Sequence, residues 1–312
     1  MIYPADVTTS LSGNGNPTRL RPDREDPAIS SGVKQAQKSQ NQIKPMKQNR
    51  LIISVLAALL CGSVLQTTST AQNLQGTVSN GGFVRRTIPL NGEPIVQSYY
   101  FRFTNGDHHF KAVGVEPRVP SITQATLGFA DHNSDDPYFY NITFARYFGS
   151  IVRGSTTEFG RGGRITFPVN APADRANFAF VIRGFYVQYR GDDHHIQELG
   201  IQESNGRVTV ALNDHNDDDP FQIDLQYAYL PRTAFSELSL RSGVNARGGE
   251  RTTVSRGVGL IRGFHFNFTN DDHHIKELGV LLNGAGRLEV YFGDDNGDDP
   301  FNWNVAYGIL KP

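Results

Sequence analysis

The sequence predicts an all-β chain: three tandem repeats of an antiparallel β-meander or sandwich unit of about 80 residues, set in a row or around a pseudo-threefold axis. Three observations carry this prediction. Apolar residues alternate with polar ones at period two, no window holds a helical period, and two motifs recur together three times.

The first motif ends in an Asp-His-His run, at Asp107-His108-His109, Asp193-His194-His195 and Asp272-His273-His274. The second ends in Asp-Pro, at 131–137 (DHNSDDP), 214–220 (DHNDDDP) and 294–300 (DDNGDDP). The His-His pairs recur at spacings of 86 and 79, and the Asp-Pro pairs at 83 and 80. The unit boundaries that follow are 72–150, 151–232 and 233–312.

Within the third copy, Phe264, Phe266 and Phe268 alternate with polar residues. Leu278, Val280 and Leu282 follow, then Leu288, Val290 and Phe292, then Phe301, Trp303, Val305, Tyr307 and Ile309. These are four half-buried strands, and the other copies repeat them. A further strand is expected upstream, around Arg164 to Val169, and the Arg-Gly steps at Gly184 and Gly263 suit bulges. Short connections predict an antiparallel meander, in which the first and third loops emerge at the same end. The Asp-His-His loop and the Asp-rich loop of each unit should therefore be neighbours. The aromatic residues beside the loops, Phe221, Phe301, Trp303, Tyr138 and Tyr140, fall on the core side of the alternation.

Upstream of the repeats, residues 1–45 are polar and aperiodic, and read as a disordered leader or as translation from a start placed too early. Residues 46–71 have the layout of a secretory signal. Lys47 and Arg50 precede the apolar run Leu51 to Leu65, and Ser69-Thr70-Ala71 offers a cleavage site before Gln72. The apolar run is short for a membrane span, so no transmembrane segment is expected in the mature chain. The expected location is secreted, periplasmic or at the cell surface. The single cysteine, Cys61, falls inside the signal, so the fold has no disulfide to lean on. A formal net charge of −1 supplies no basic field for nucleic acid.

Charge is nevertheless concentrated. Eight of the nine histidines and sixteen of the eighteen aspartates after residue 71 lie in the six loops. Like charges crowded at one end of a sheet call for a counterion. Oxygen donors alternate along the second motif, at Asp131, Asn133, Asp135 and Asp136, at Asp214, Asn216, Asp218 and Asp219, and at Asp294, Asn296, Asp298 and Asp299. Such spacing suits Ca²⁺, a hard ion that takes six to eight oxygens. It resembles the first half of the EF-hand and dockerin type of calcium loop. The EF-hand itself is excluded, because Asp replaces the glycine at position six and a strand follows in place of a helix. Asp107, Asp193 and Asp272 are the nearest source of missing ligands. The bland alternative is that Asp and Asn merely bond their own turn backbone.

The histidine pairs His108/His109, His194/His195 and His273/His274 are expected to contact a ligand or to support the acidic loop from behind. Direct Zn²⁺ ligation is the lesser expectation, since adjacent residues on an extended chain point to opposite faces. Repetition favours a calcium-dependent module that recognises an extracellular carbohydrate or surface polymer. A cation-stabilised envelope or matrix protein is the first alternative. A metal-dependent hydrolase is the second, disfavoured because an enzyme has no reason to keep three similar sites.

Overall fold

The computed structural model describes residues 70–88, 92–118, 124–215, 219–245, 249–297 and 299–312. The leader and nearly all of the expected signal lie outside the described residues, as do Asn216, Asp218 and Asp298. Among the described residues no helix is long and apolar enough to cross a membrane.

The fold is all-β and antiparallel. The first segment supplies β1 (Ala71–Val78), β2 (Phe83–Thr87), β3 (Glu93–Phe103), β4 (Ala112–Pro117), β5 (Gln124–Ala130) and β6 (Tyr138–Tyr147). The second supplies β7 (Val152–Gly160), β8 (Arg164–Pro168), β9 (Phe178–Tyr189), β10 (Glu198–Ser204), β11 (Arg207–Asn213) and β12 (Phe221–Pro231). The third supplies β13 (Phe235–Asn245), β14 (Gly249–Thr253), β15 (Gly259–Phe268), β16 (Glu277–Asn283), β17 (Arg287–Gly293) and β18 (Phe301–Leu310).

These strands form three six-stranded sheets, ordered β1-β6-β3-β16-β17-β14, β2-β5-β4-β9-β12-β7 and β13-β18-β15-β10-β11-β8. No sheet belongs to one segment. Each takes three strands from one segment and three from another, so the segments are linked in a closed cycle and not in a row.

This cycle corrects the expected meander. Of the three connections between the last four strands of a segment, only the middle one is a hairpin between paired strands, as in β4–β5. The first and third cross between sheets: β3 and β6 pair with each other in one sheet, while β4 and β5 lie in the next. Both crossings leave from the end where β3 stops and β6 starts. The two acidic loops are neighbours for that reason, and not through meander order.

Strands β3, β9 and β15 line the common interior. Tyr99, Phe185 and Phe264 meet there at ring-centroid distances of 5.1, 5.1 and 5.5 Å. They come from matching positions of the three segments and are fully buried. Phe221, Phe301, Trp303, Tyr138 and Tyr140 are also core residues, at most 3% exposed.

Each inner strand is bulged. The pairing of β9 skips Arg183, that of β15 skips Arg262 and that of β3 skips Gln97. The glycine after each bulged arginine allows close approach of the next sheet strand. A Cβ at Gly184 would lie 2.7 Å from the Val115 carbonyl oxygen, and one at Gly263 would lie 2.9 Å from that of Ile201.

Candidate metal centre

Three tripeptides close the loop end of the fold. They are His108-His109-Phe110, His194-His195-Ile196 and His273-His274-Ile275. Each bridges both of the others: His108 pairs with Ile275, Phe110 with His194 and Ile196 with His273. Six backbone hydrogen bonds of 2.7–3.1 Å hold this ring. The apolar third residues Phe110, Ile196 and Ile275 are completely buried and seal the core beneath it. The middle histidine of each tripeptide thus has a backbone fixed on both sides.

Adjacent side chains on extended backbone diverge, and here the divergence separates the histidine pairs into two classes. The first of each pair turns toward the sheet. His108, His194 and His273 stand edge-on to Phe103, Tyr189 and Phe268 at 4.7, 4.8 and 4.7 Å. Their Nδ1 atoms meet Asp136, Asp219 and Asp299 at 2.8, 3.0 and 2.9 Å. The Nε2 atoms of His108 and His273 meet Asn105 Oδ1 and Asn270 Oδ1 at 3.1 and 3.2 Å. These histidines tie the two loops of a segment together.

The second of each pair turns outward to the axis. The rings of His109, His195 and His274 form a near-equilateral triangle, with centroids 4.8, 4.6 and 4.6 Å apart. One ring nitrogen of each lies within 4.8 Å of one from both others. A bound Zn²⁺ with bonds of about 2.0–2.1 Å would set its nitrogens about 3.3 Å apart, so these would have to approach by up to about 1.5 Å to share one ion. The side chains are 41–42% exposed, so the triangle is accessible to solvent.

A carboxylate from the next segment stands behind each axial ring. His109 Nδ1 lies 3.6 Å from Asp193, His195 Nδ1 lies 3.7 Å from Asp272 and His274 Nδ1 lies 3.9 Å from Asp107. These are charge contacts longer than hydrogen bonds. A carboxylate in this place would orient a metal-binding imidazole by favouring its Nδ1 proton. Burial and the two neighbouring imidazoles hold His274 below the usual histidine pKa, which favours the neutral, ligating form.

Among the described residues, the first and last oxygens of the acidic loops have local partners. Asp131 Oδ1 accepts the Ser134 N–H at 2.9 Å and Asp294 Oδ1 accepts the Gly297 N–H at 2.7 Å, so the first aspartate fastens its own turn. The last aspartate holds the inward histidine. Asn133, Asp135 and Asn296, between them, are exposed. Three groups gather here: His108 with Asp131 and Asp136, His194 with Asp214 and Asp219, and, more exposed, His215 with Asp271 and Asp272. Burial and the nearby Asp136 raise the Asp131 pKa. Asp107, Asp193 and Asp272 face the axial histidines of the neighbouring segment, and Asp193 and Asp272 also approach His132 and His215 of the acidic loops.

Around the rim, His132 lies 3.5 Å from Asp192 and His215 lies 2.9 Å from Asp271. The third copy has Asp295 at this position, paired with Lys276 at 2.9 Å.

Sequence reasoning found both histidines of every pair and missed that three of them converge. The available signal was positional identity. In a cyclic arrangement, a residue near the axis necessarily meets its own copies. No family model and no curated protein matches the chain.

Proposed function

We propose that the protein is an extracellular metal-dependent binding module, in which one transition-metal ion of the zinc class is held by His109, His195 and His274. The observation that carries this reading is the triangle of imidazoles, each backed by a carboxylate. Neutral nitrogen donors suit Zn²⁺ and its neighbours, whereas Ca²⁺ prefers oxygen. Three protein ligands leave an outward position for a donor atom of a carbohydrate or surface polymer. Because the ligands come from all three segments, the ion also ties together the cycle of a fold without disulfides. Ca²⁺, suggested by the DxNxDD spacing, would take the separate pairs Asp131/Asp136 and Asp214/Asp219.

The experiment is metal stoichiometry. Equilibrium dialysis of the chelator-treated protein against Co²⁺ or Zn²⁺ is expected to give one tight ion per chain, with Co²⁺ developing the visible absorption of a nitrogen-ligated site. Three equivalent ions per chain, or tight Ca²⁺ with no Zn²⁺, would overturn the axial assignment.

One observation favours a second reading, a metal-dependent hydrolase. The three loops build a single centre, so the objection from three similar sites loses its force. An ion with an open position lowers the pKa of bound water to about 7. Metal-dependent turnover of an activated ester, abolished in His195→Ala, is the outcome that selects this reading over binding alone.

A further inference from the structure

The opposite end of the molecule carries a different chemistry. Strand β3 starts there at Glu93, β4 ends there at Pro117 and β12 ends there at Pro231. Two clefts open at this end. The first, of about 720 Å³, is lined by Glu93, Glu116, Arg118, Arg153, Arg183 and Gln226, among others. The second, of about 490 Å³, includes Arg232, Arg262, Gln202 and Glu203 in its lining. Both sit where two segments join, and each contains one of the bulged arginines, Arg183 or Arg262.

A bulge places its extra residue outside the ladder and re-aims the side chain. Arg183 is only 4% exposed, and its buried Nε has no hydrogen-bond partner. Its guanidinium contacts Glu93, which is shared with Arg153 at 2.6 Å. One carboxylate therefore serves two guanidinium groups. In the second cleft, Arg262 donates through Nε to the Phe180 carbonyl oxygen at 3.3 Å. Glu203 there is engaged by the Gly206 N–H at 2.7 Å and the Tyr229 hydroxyl at 3.3 Å. Both clefts keep more guanidinium donors than carboxylate acceptors. At the third equivalent bulge stands Gln97, which donates to the Leu282 carbonyl oxygen at 2.7 Å and carries no charge.

We propose that these two clefts bind oxyanions, and that their ligand is an acidic polysaccharide whose carboxylate or sulfate groups are met by the exposed Arg153 and Arg232, with Arg183 and Arg262 behind them. Planar guanidinium forks match carboxylate and sulfate geometry, and each cleft has the volume of a small-ligand site. Two such sites on one molecule let a repeating polymer engage both, so that weak contacts add through effective concentration. The proposal is independent of the metal centre, which lies at the other end of the strands.

The test uses the intact chain and three probes: dextran sulfate oligosaccharides, oligogalacturonate and neutral dextran. Wild type is expected to bind the two acidic probes and not neutral dextran, equally well with and without chelator. The exposed arms Arg153 and Arg232 can be changed without emptying a buried site. The double variant Arg153→Gln/Arg232→Gln should weaken binding at least tenfold while keeping a cooperative thermal transition. Arg161→Gln, a control on the loop after β7, should bind as wild type does. Binding lost on chelation would assign the polymer to the metal end and overturn the proposal, as would full affinity in the double variant or equal weakening in Arg161→Gln. Competition by inorganic sulfate at equal charge concentration would show that free anions, not a polymer, are the ligand. A chelator-resistant failure leaves the metal reading intact, so the two proposals fail separately.

Discussion

Replacing one axial histidine gives a graded test, because metal affinity and folding stability are linked. A ligand that binds only the folded state stabilises it by RT ln(1 + [L]/Kd). With a Kd on the order of 1 μM, 100 μM Zn²⁺ contributes about 2.7 kcal/mol. For a β fold of this size that corresponds to a rise of roughly 5–11 °C in melting temperature. His195→Ala removes one of three ligands. If affinity drops at least 100-fold, the same Zn²⁺ contributes about 0.4 kcal/mol or less. Asp193→Asn leaves the ligands and removes the carboxylate behind His109. A loss of about 10–100-fold there predicts roughly 0.4–1.4 kcal/mol. Without metal, His195→Ala should change stability by less than about 0.5 kcal/mol, because the side chain is 41% exposed and its carboxylate contact is 3.7 Å long. Scanning fluorimetry with Zn²⁺ and with chelator reads all three proteins. A His195→Ala protein that keeps the full metal-induced shift would refute the axial centre. A wild type that gains nothing from Zn²⁺, Co²⁺ or Ni²⁺ would do so equally.

Other consequences follow from the fold and its buried charges. Phe264→Ala empties the aromatic contact with Tyr99 and Phe185 on the axis and should cost about 3–5 kcal/mol in denaturant unfolding. Glu198, 4% exposed, accepts from Arg164 Nε at 2.9 Å and contacts His265. Burial opposes its charged form, but the hydrogen bonds and charges of His265 and Arg164 prevail and depress its pKa. Its stabilisation is present above the unfolded carboxylate range and disappears as pH falls through the lower folded value, so Glu198→Gln should flatten the acid limb of a stability profile. Glu116 behaves oppositely: burial and then Asp224 push it up to about 7. Its contribution is complete below about pH 4.5 and is lost as pH rises through 7, so Glu116→Gln should stabilise the protein at pH 8 by roughly 1–3 kcal/mol. An unchanged alkaline limb in that variant would contradict the half-buried placement of Glu116. Gly184→Ala puts a Cβ against the Val115 carbonyl and should destabilise the sheet junction, measured as an earlier thermal transition.

Much of the local structure was legible along the chain. Phe264, Phe266 and Phe268 face the core as their alternation predicts, and β8 occupies Arg164–Pro168, inside the stretch where an extra strand was expected. The bulges at Arg183 and Arg262 fall at the Arg-Gly steps. Such features are readable because a strand's period and a glycine's missing side chain act over a few residues. The expected oxygen cage was less secure. Asp131 and Asp294 turned out to fasten their own turns, a competition that is local and was visible in principle.

Alternation tells which face a residue occupies but not which strand lies beside it. The same spacing of Leu278, Val280 and Leu282 suits a meander or a sheet shared with β3, and only the pairing of β16 with β3 closes the cycle. That closure placed His109, His195 and His274 on one axis, though 86 and 79 residues separate them along the chain. Local sequence therefore determined strands, loops and the outward turn of one histidine per pair. Tertiary structure decided that the three outward histidines meet, because joining sheet edges between segments is a long-range choice that no short window of residues encodes.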